Sequence, residues 1–180
     1  MQYKLRIAWI VVLSMAASMA MKIVHAQVSR YSGEQTQIVK PLSAQEVDDL
    51  LNSRDHALAT VAELTGYLSP ARAVEIAEEL RLRPEQMRAI SDVKDQKTQA
   101  ARPLGEQIVA RIHELDGLFV SGFVSDDEIS ARANELGILF RRLRTVHLRS
   151  HLEVTAILTA SQIARYNELR GYGLSSPPEN

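Results

Sequence analysis

The stretch "SDDEISARANELGILFRRLRTVHLRSHLEVTAILTASQ", Ser125 to Gln162, contains two helix starts with one long helix between them. Ser125 and Glu128 form a capping box: the serine oxygen accepts a free backbone N–H, and the glutamate accepts from the serine's own N–H. Behind the box, Ile129, Ala133, Leu136, Phe140, Leu143, His147, His151, Val154 and Leu158 recur every three or four residues, the period of one helix face. Thr159 and Gln162 repeat the box and open a further helix. At about 1.5 Å rise per residue the central helix is roughly 45–50 Å long, too long for a chain of this size to wrap into a sphere.

A counterpart lies upstream. Pro84 suits a first helical position, where its missing N–H costs nothing. From there to about Leu118 one face carries Met87, Ile90, Val93, Lys97, Ala101, Leu104, Ile108, Ile112 and Leu115, with Phe119 just beyond. Pro103 and Gly105 fall inside it and are expected to bend it. "VSGFVS" (120–125) reads as the reversal between the two long helices. Shorter helices flank them. Ser43 with Glu46 is another capping box, followed by Val47, Leu50 and Leu51 on one face and a broken helix reaching Gly66. Ser69 and Pro70 start a short helix, and Gly171 suits a left-handed C-cap. Low aromatic content and few glycines agree with helices rather than strands. The expected fold is all-α: a curved antiparallel hairpin of two long helices with shorter flanking helices.

The first residues read as a secretory signal. Lys4 and Arg6 precede the apolar run "IAWIVVLSMAASMAM", and Val24 and Ala26 occupy the small-residue positions before a cut. The expected boundaries are a signal peptide over 1–26, an extended arm over 27–42, a helical domain over 43–173 and a disordered tail over 174–180. The uncut alternative is an N-terminal membrane anchor. Cleavage after Ala26 removes Lys4, Arg6 and Lys22 and no acid, leaving 18 basic and 22 acidic residues, a net charge of −4. A mildly acidic chain argues against nucleic acid as a partner. With no cysteine, the exported protein has neither disulfides nor thiolate ligands.

Two segments are alike. "LRPEQ" (Leu82–Gln86) and "LTASQ" (Leu158–Gln162) each place a leucine before a helix start and a glutamine at its third residue. Paired L-T-x-x-Q motifs in a small, exported, cysteine-free helical protein resemble the Spy/CpxP superfamily of periplasmic chaperones. That superfamily includes the zinc-resistance-associated proteins and periplasmic heavy-metal sensors. The residues carrying the likeness are Leu82, Pro84, Gln86, Leu158, Thr159 and Gln162, with Arg83 in place of the first capping threonine. The sensor branch's N-terminal histidine pair has no match, since His25 falls in the signal and His56 stands alone. A metal-rich tail is absent from "SSPPEN". The resemblance implies a periplasmic homodimer of curved hairpins, which binds unfolded or misfolded envelope proteins on a concave face without ATP. It requires no cofactor. Arg102, Arg141, Arg142, Arg144 and Arg149 would rim that groove, their stems covering apolar surface; the alternative is that they are solvated helix faces.

His147 and His151 lie one helical turn apart on the apolar stripe. They are either two imidazole ligands for Zn, Ni, Cu or Co, or two histidines packed in a helix interface. A closed zinc site wants four ligands, so His113 and Glu114 on the other long helix, or a dimer mate, would have to complete it. This metal reading is the alternative function: a periplasmic heavy-metal-binding sensor or resistance protein signalling to a membrane-bound partner. His113 and Asp116 in "IHELDGLF" can touch, but no nucleophile accompanies them, and no phosphate-binding glycine loop or zincin motif occurs. An enzyme is not expected. Tyr166 and Tyr172, with Arg165 and Arg170, are expected to pack the last helix onto the hairpin.

Overall fold

The computed structural model describes residues 41–54 and 58–172. The signal, nearly all of the arm, His56 and the tail lie outside the described residues, which all belong to one compact unit, Gln37–Asn180. Among them are six helices: α1 (Ala44–Leu51), α2 (Thr60–Leu64), α3 (Pro70–Glu75), α4 (Pro84–Ser121), α5 (Asp126–Ile157) and α6 (Ala160–Arg170). They contain no strand. No helix among them is long and apolar enough to cross a membrane.

The caps are where the side chains require them. Ser43, Ser125 and Thr159 each accept from the third helical N–H, and Glu46, Glu128 and Gln162 each reach back to the cap. Ser69 caps α3 from its hydroxyl, with Pro70 behind it. At Arg83 only half the box exists: the Gln86 side-chain oxygen accepts from the Arg83 N–H at 3.1 Å. An arginine side chain has no acceptor to offer in return. The start of α4 thus rests on Gln86 as well as on Pro84. Gly122 and Gly171 end α4 and α6 at φ 70° and 68°.

The long helices α4 and α5 form the antiparallel hairpin. Its register is fixed at one end by Gln86 Nε2 donating to the Ile157 carbonyl (2.9 Å) and near the other by Arg111 Nε against Glu135 (2.7 Å). α4 runs on through Pro103, which is exposed. Gly105 has a packing reason: a Cβ there would sit 2.0 Å from the Leu50 carbonyl oxygen, so only glycine lets α1 lie against α4.

Two apolar clusters hold the hairpin. One joins Ala101, Leu104, Ile108, Ile112, Leu139 and Leu143, with Val47 and Leu50 of α1 packed on it. The other joins Leu68, Ala73, Leu80, Ile90, Val154, Leu158 and Tyr166, bringing in α3 and α6. Each fully buried leucine or isoleucine contributes about 1.5–3 kcal/mol. The C-terminal end of the described arm, Leu42, also packs on the first cluster.

The apolar stripes are buried along only part of their length. From His113 to Ile138 no residue is buried. Phe119, on the α4 stripe, is 56% exposed, and Ile129, on the α5 stripe, is 37% exposed. The flanking helices reach no farther than the first cluster, so among the described residues the distal hairpin is two helices with no third layer over them.

Candidate functional site

A polar band lies between the two clusters. Lys97 of α4 and His147, Ser150 and His151 of α5 are all buried, and Asp49 and Ser53 at the end of α1 are buried too. Burying a polar group without a partner is expensive, which makes the hydrogen bonds here informative. Ser150 Oγ donates to the His147 carbonyl (2.7 Å) and Thr155 Oγ1 to the His151 carbonyl (2.8 Å). His151 Nδ1 lies 2.8 Å from the Tyr67 carbonyl oxygen, which can only accept, so Nδ1 carries the ring proton. Its Nε2 is buried and makes no hydrogen bond among the described residues.

His147 and His151 share a helix face, yet they line different cavities. His147 borders a cleft of about 100 Å³ with Leu42, Leu50, Phe140 and Leu143. His151 borders a cavity of about 460 Å³ with Ser53, Lys94, Lys97 and Thr98. Among the described residues no group of three or more His, Cys, Asp or Glu side chains could hold a metal ion. The candidate helpers are elsewhere. In the register set by Arg111 and Glu135, His113 and Glu114 lie level with residues 133 and 132, 14 and 15 residues from His147 and roughly 21–22 Å away along the hairpin. Glu114 is held by Arg111 and, at 3.4 Å, by Arg132; His113 is exposed. With Glu135 these form a four-residue charge ring that ties α4 to α5 where burial ends. The two carboxylates hold the Arg111 guanidinium above its ordinary pKa, the Glu114 hydrogen bond most of all.

The two motif glutamines meet. Gln86 Nε2 donates to Gln162 Oε1 (2.9 Å) and Gln162 Nε2 donates to Gln86 Oε1 (3.1 Å), a closed ring of two amides. The second N–H of Gln86 goes to the Ile157 carbonyl, and that of Gln162 lies 3.3 and 3.4 Å from the Leu80 and Arg81 carbonyls. Both side-chain oxygens also accept from their own cap N–H, Arg83 and Thr159. Every amide valence is filled, so Gln86 and Gln162 can be buried at 3% and 9% exposure. The paired motifs are a structural joint between the starts of α4 and α6.

Tyr166 is fully buried, with its hydroxyl on Glu63. Burial first, then that contact, pushes its phenol far above the ordinary tyrosine range. Tyr172 packs edge-on against it at 6.2 Å, with the Arg170 guanidinium 5.6 Å from the Tyr172 ring.

The proposed groove residues are on the surface. Arg102, Arg141, Arg142, Arg144 and Arg149 are all exposed, and none makes an ion pair among the described residues. At about 100° per residue, Ile138, Arg142, Arg149 and Leu152 fall on the side of α5 opposite Leu139, Leu143, His147 and Val154. Ile138 is 49% exposed and Leu152 57%. The distal arm adds Phe119, Val120 and Phe123, the last 87% exposed. Periodicity could not single out these tip residues, because it reports a shared face and not whether anything covers it. Ser53 was likewise invisible in the sequence, whereas Lys97 was marked by its place on an apolar stripe.

No protein-family model, no curated protein and no solved structure matches this chain.

Proposed function

We propose that the protein captures unfolded polypeptide segments without nucleotide, acting as a homodimer in the exported compartment that its N-terminal sequence suggests. The observation that carries this is the distal arm: a two-helix projection with no buried residue from 113 to 138, bearing Phe119, Val120 and Phe123 on its surface. Exposed apolar patches of this kind mark interaction sites in folded proteins. Unpaired arginines beside exposed Ile138 and Leu152 add long, adaptable stems and charge, which suits many sequences more than one. The resemblance of the paired L-T-x-x-Q motifs to the Spy/CpxP superfamily points the same way. Binding would be reversible, with no chemistry: the client loses apolar exposure, and release needs only its refolding.

Light scattering tests this directly. An unfolding client protein should aggregate less at an equimolar amount of this protein, without ATP or metal. Aggregation that proceeds unchanged removes the proposal. The metal-sensing alternative through His147 and His151 would require further ligands from outside the described residues, in this chain or in a second copy, because the two rings line separate cavities.

A further inference from the structure

We propose that the outer side of α5 between Ile138 and Leu152 docks on an anionic lipid surface. The stretch "LGILFRRLRTVHLRSHL" (136–152) holds Arg141, Arg142, Arg144 and Arg149 and no acidic residue, in a chain whose net charge is −1. All four arginines are exposed, and none makes an ion pair among the described residues. Several arginines elsewhere are neutralised. Arg111 and Arg132 share Glu114 and Glu135, and Arg165 on α6 pairs with Glu168. A helix with a carboxylate three or four residues from an arginine balances its own surface. The helix α5 does this as far as Glu135 and then stops. Glu153, the next acid, is exposed and pairs with none of the four among the described residues.

Helix geometry sets three of these arginines between apolar groups. At about 100° per residue, Ile138, Arg141, Arg142, Thr145, Arg149 and Leu152 share the side of α5 turned away from Leu139, Leu143 and Val154, over a length of roughly 20 Å. Ile138 is 49% exposed and Leu152 57%, so an apolar residue stands at each end of the face with cations between. None of these six residues lines the cavities at His147, at His151 or beside Gln162. A small molecule calls for a concavity, and a bound peptide for a groove or a sheet edge. A lipid surface calls instead for a convex helix face, whose apolar groups enter the headgroup layer while its cations meet phosphates. Arginine suits those phosphates because its planar guanidinium donates two parallel N–H bonds to one group. The export suggested by the N-terminal sequence would bring this face alongside lipid. Phe119, Val120 and Phe123 lie outside it, so the proposal stands apart from client capture by the distal arm.

The test is co-sedimentation of the purified protein with two kinds of vesicle at low salt: phosphatidylcholine alone, and phosphatidylcholine mixed with phosphatidylglycerol. Neutral vesicles report any binding by the apolar N-terminal run, so the difference between the two compositions reads the basic face. The protein should bind the anionic vesicles more tightly, and that excess should fall as salt screens the charges. Arg142→Gln and Arg149→Gln should each weaken anionic-vesicle binding about fivefold while leaving helical circular dichroism unchanged. Ile138→Ser/Leu152→Ser should weaken it by at least as much. Phe119→Ser/Phe123→Ser should bind vesicles as the wild type does, which separates this face from the client-binding arm. Equal binding to the two compositions overturns the proposal, as does unchanged binding by both arginine variants. Binding of soluble polyglutamate but of neither vesicle would assign the face to an acidic polypeptide and overturn it too.

Discussion

Gln86 and Gln162, 76 residues apart, close a ring of two side-chain amides in which every donor and acceptor is used. Each glutamine also completes the cap of its own helix, so one pair fixes the starts of α4 and α6 and the end of α5 together. Replacing either with alanine leaves its mate buried and half-satisfied. Gln162→Ala should cost about 2–4 kcal/mol in urea unfolding, and Gln86→Ala a similar amount. The double variant should cost well under the sum, because the second change removes a group already orphaned.

Glycine replacements should split by location. Gly105→Ala pushes a methyl into the Leu50 carbonyl and should destabilise by about 1–3 kcal/mol as α1 is displaced. At Gly117 and Gly137, inside α4 and α5, a Cβ meets nothing within 4 Å. Alanine at either should stabilise by about 0.5–1 kcal/mol. Thermal denaturation of the three variants reads both signs.

Tyr166 gives a pH signature. Its phenol is held protonated in the folded protein far above the ordinary tyrosine value. The unfolded chain therefore loses this proton first, from about pH 10 upward. The stability that Tyr166 contributes is complete below that pH and declines above it. Tyr166→Phe should be less stable at neutral pH and should lack this part of the alkaline decline, as measured by urea unfolding at pH 8 and pH 11.

Native mass spectrometry with Zn²⁺, Ni²⁺, Cu²⁺ and Co²⁺ should find a dimer that takes up no stoichiometric ion. His147 and His151 line different cavities. An ion retained by the dimer and lost in His151→Ala would mean that ligands come from outside the described residues, in this chain or its dimer mate, and would move the function to metal sensing.

Helix type, order and caps were legible in the sequence because each rests on local chemistry: Ser125 with Glu128, Thr159 with Gln162, Pro70 and Pro84 at first turns. The hairpin followed from two long periodic runs joined by a short reversal. Long-range facts were not legible. Nothing local says that Gln86 meets Gln162, that Gly105 faces the Leu50 carbonyl, or that the stripe through Phe119 extends past its covering layer. The histidine pair shows the limit most clearly. Spacing puts His147 and His151 on one face, but packing by α1 and α2 decides that they border different spaces.

The most direct test of the central claim is fluorescence anisotropy of a labelled, permanently unfolded polypeptide, titrated with the wild type and with Phe119→Ser/Phe123→Ser. Both positions are exposed, so the variant should keep its helical circular dichroism and its unfolding midpoint. The wild type should bind without nucleotide or metal, and the double variant should bind at least about tenfold more weakly, given the apolar area removed. Equal binding by the two proteins, or none by the wild type, would contradict a client-binding distal arm.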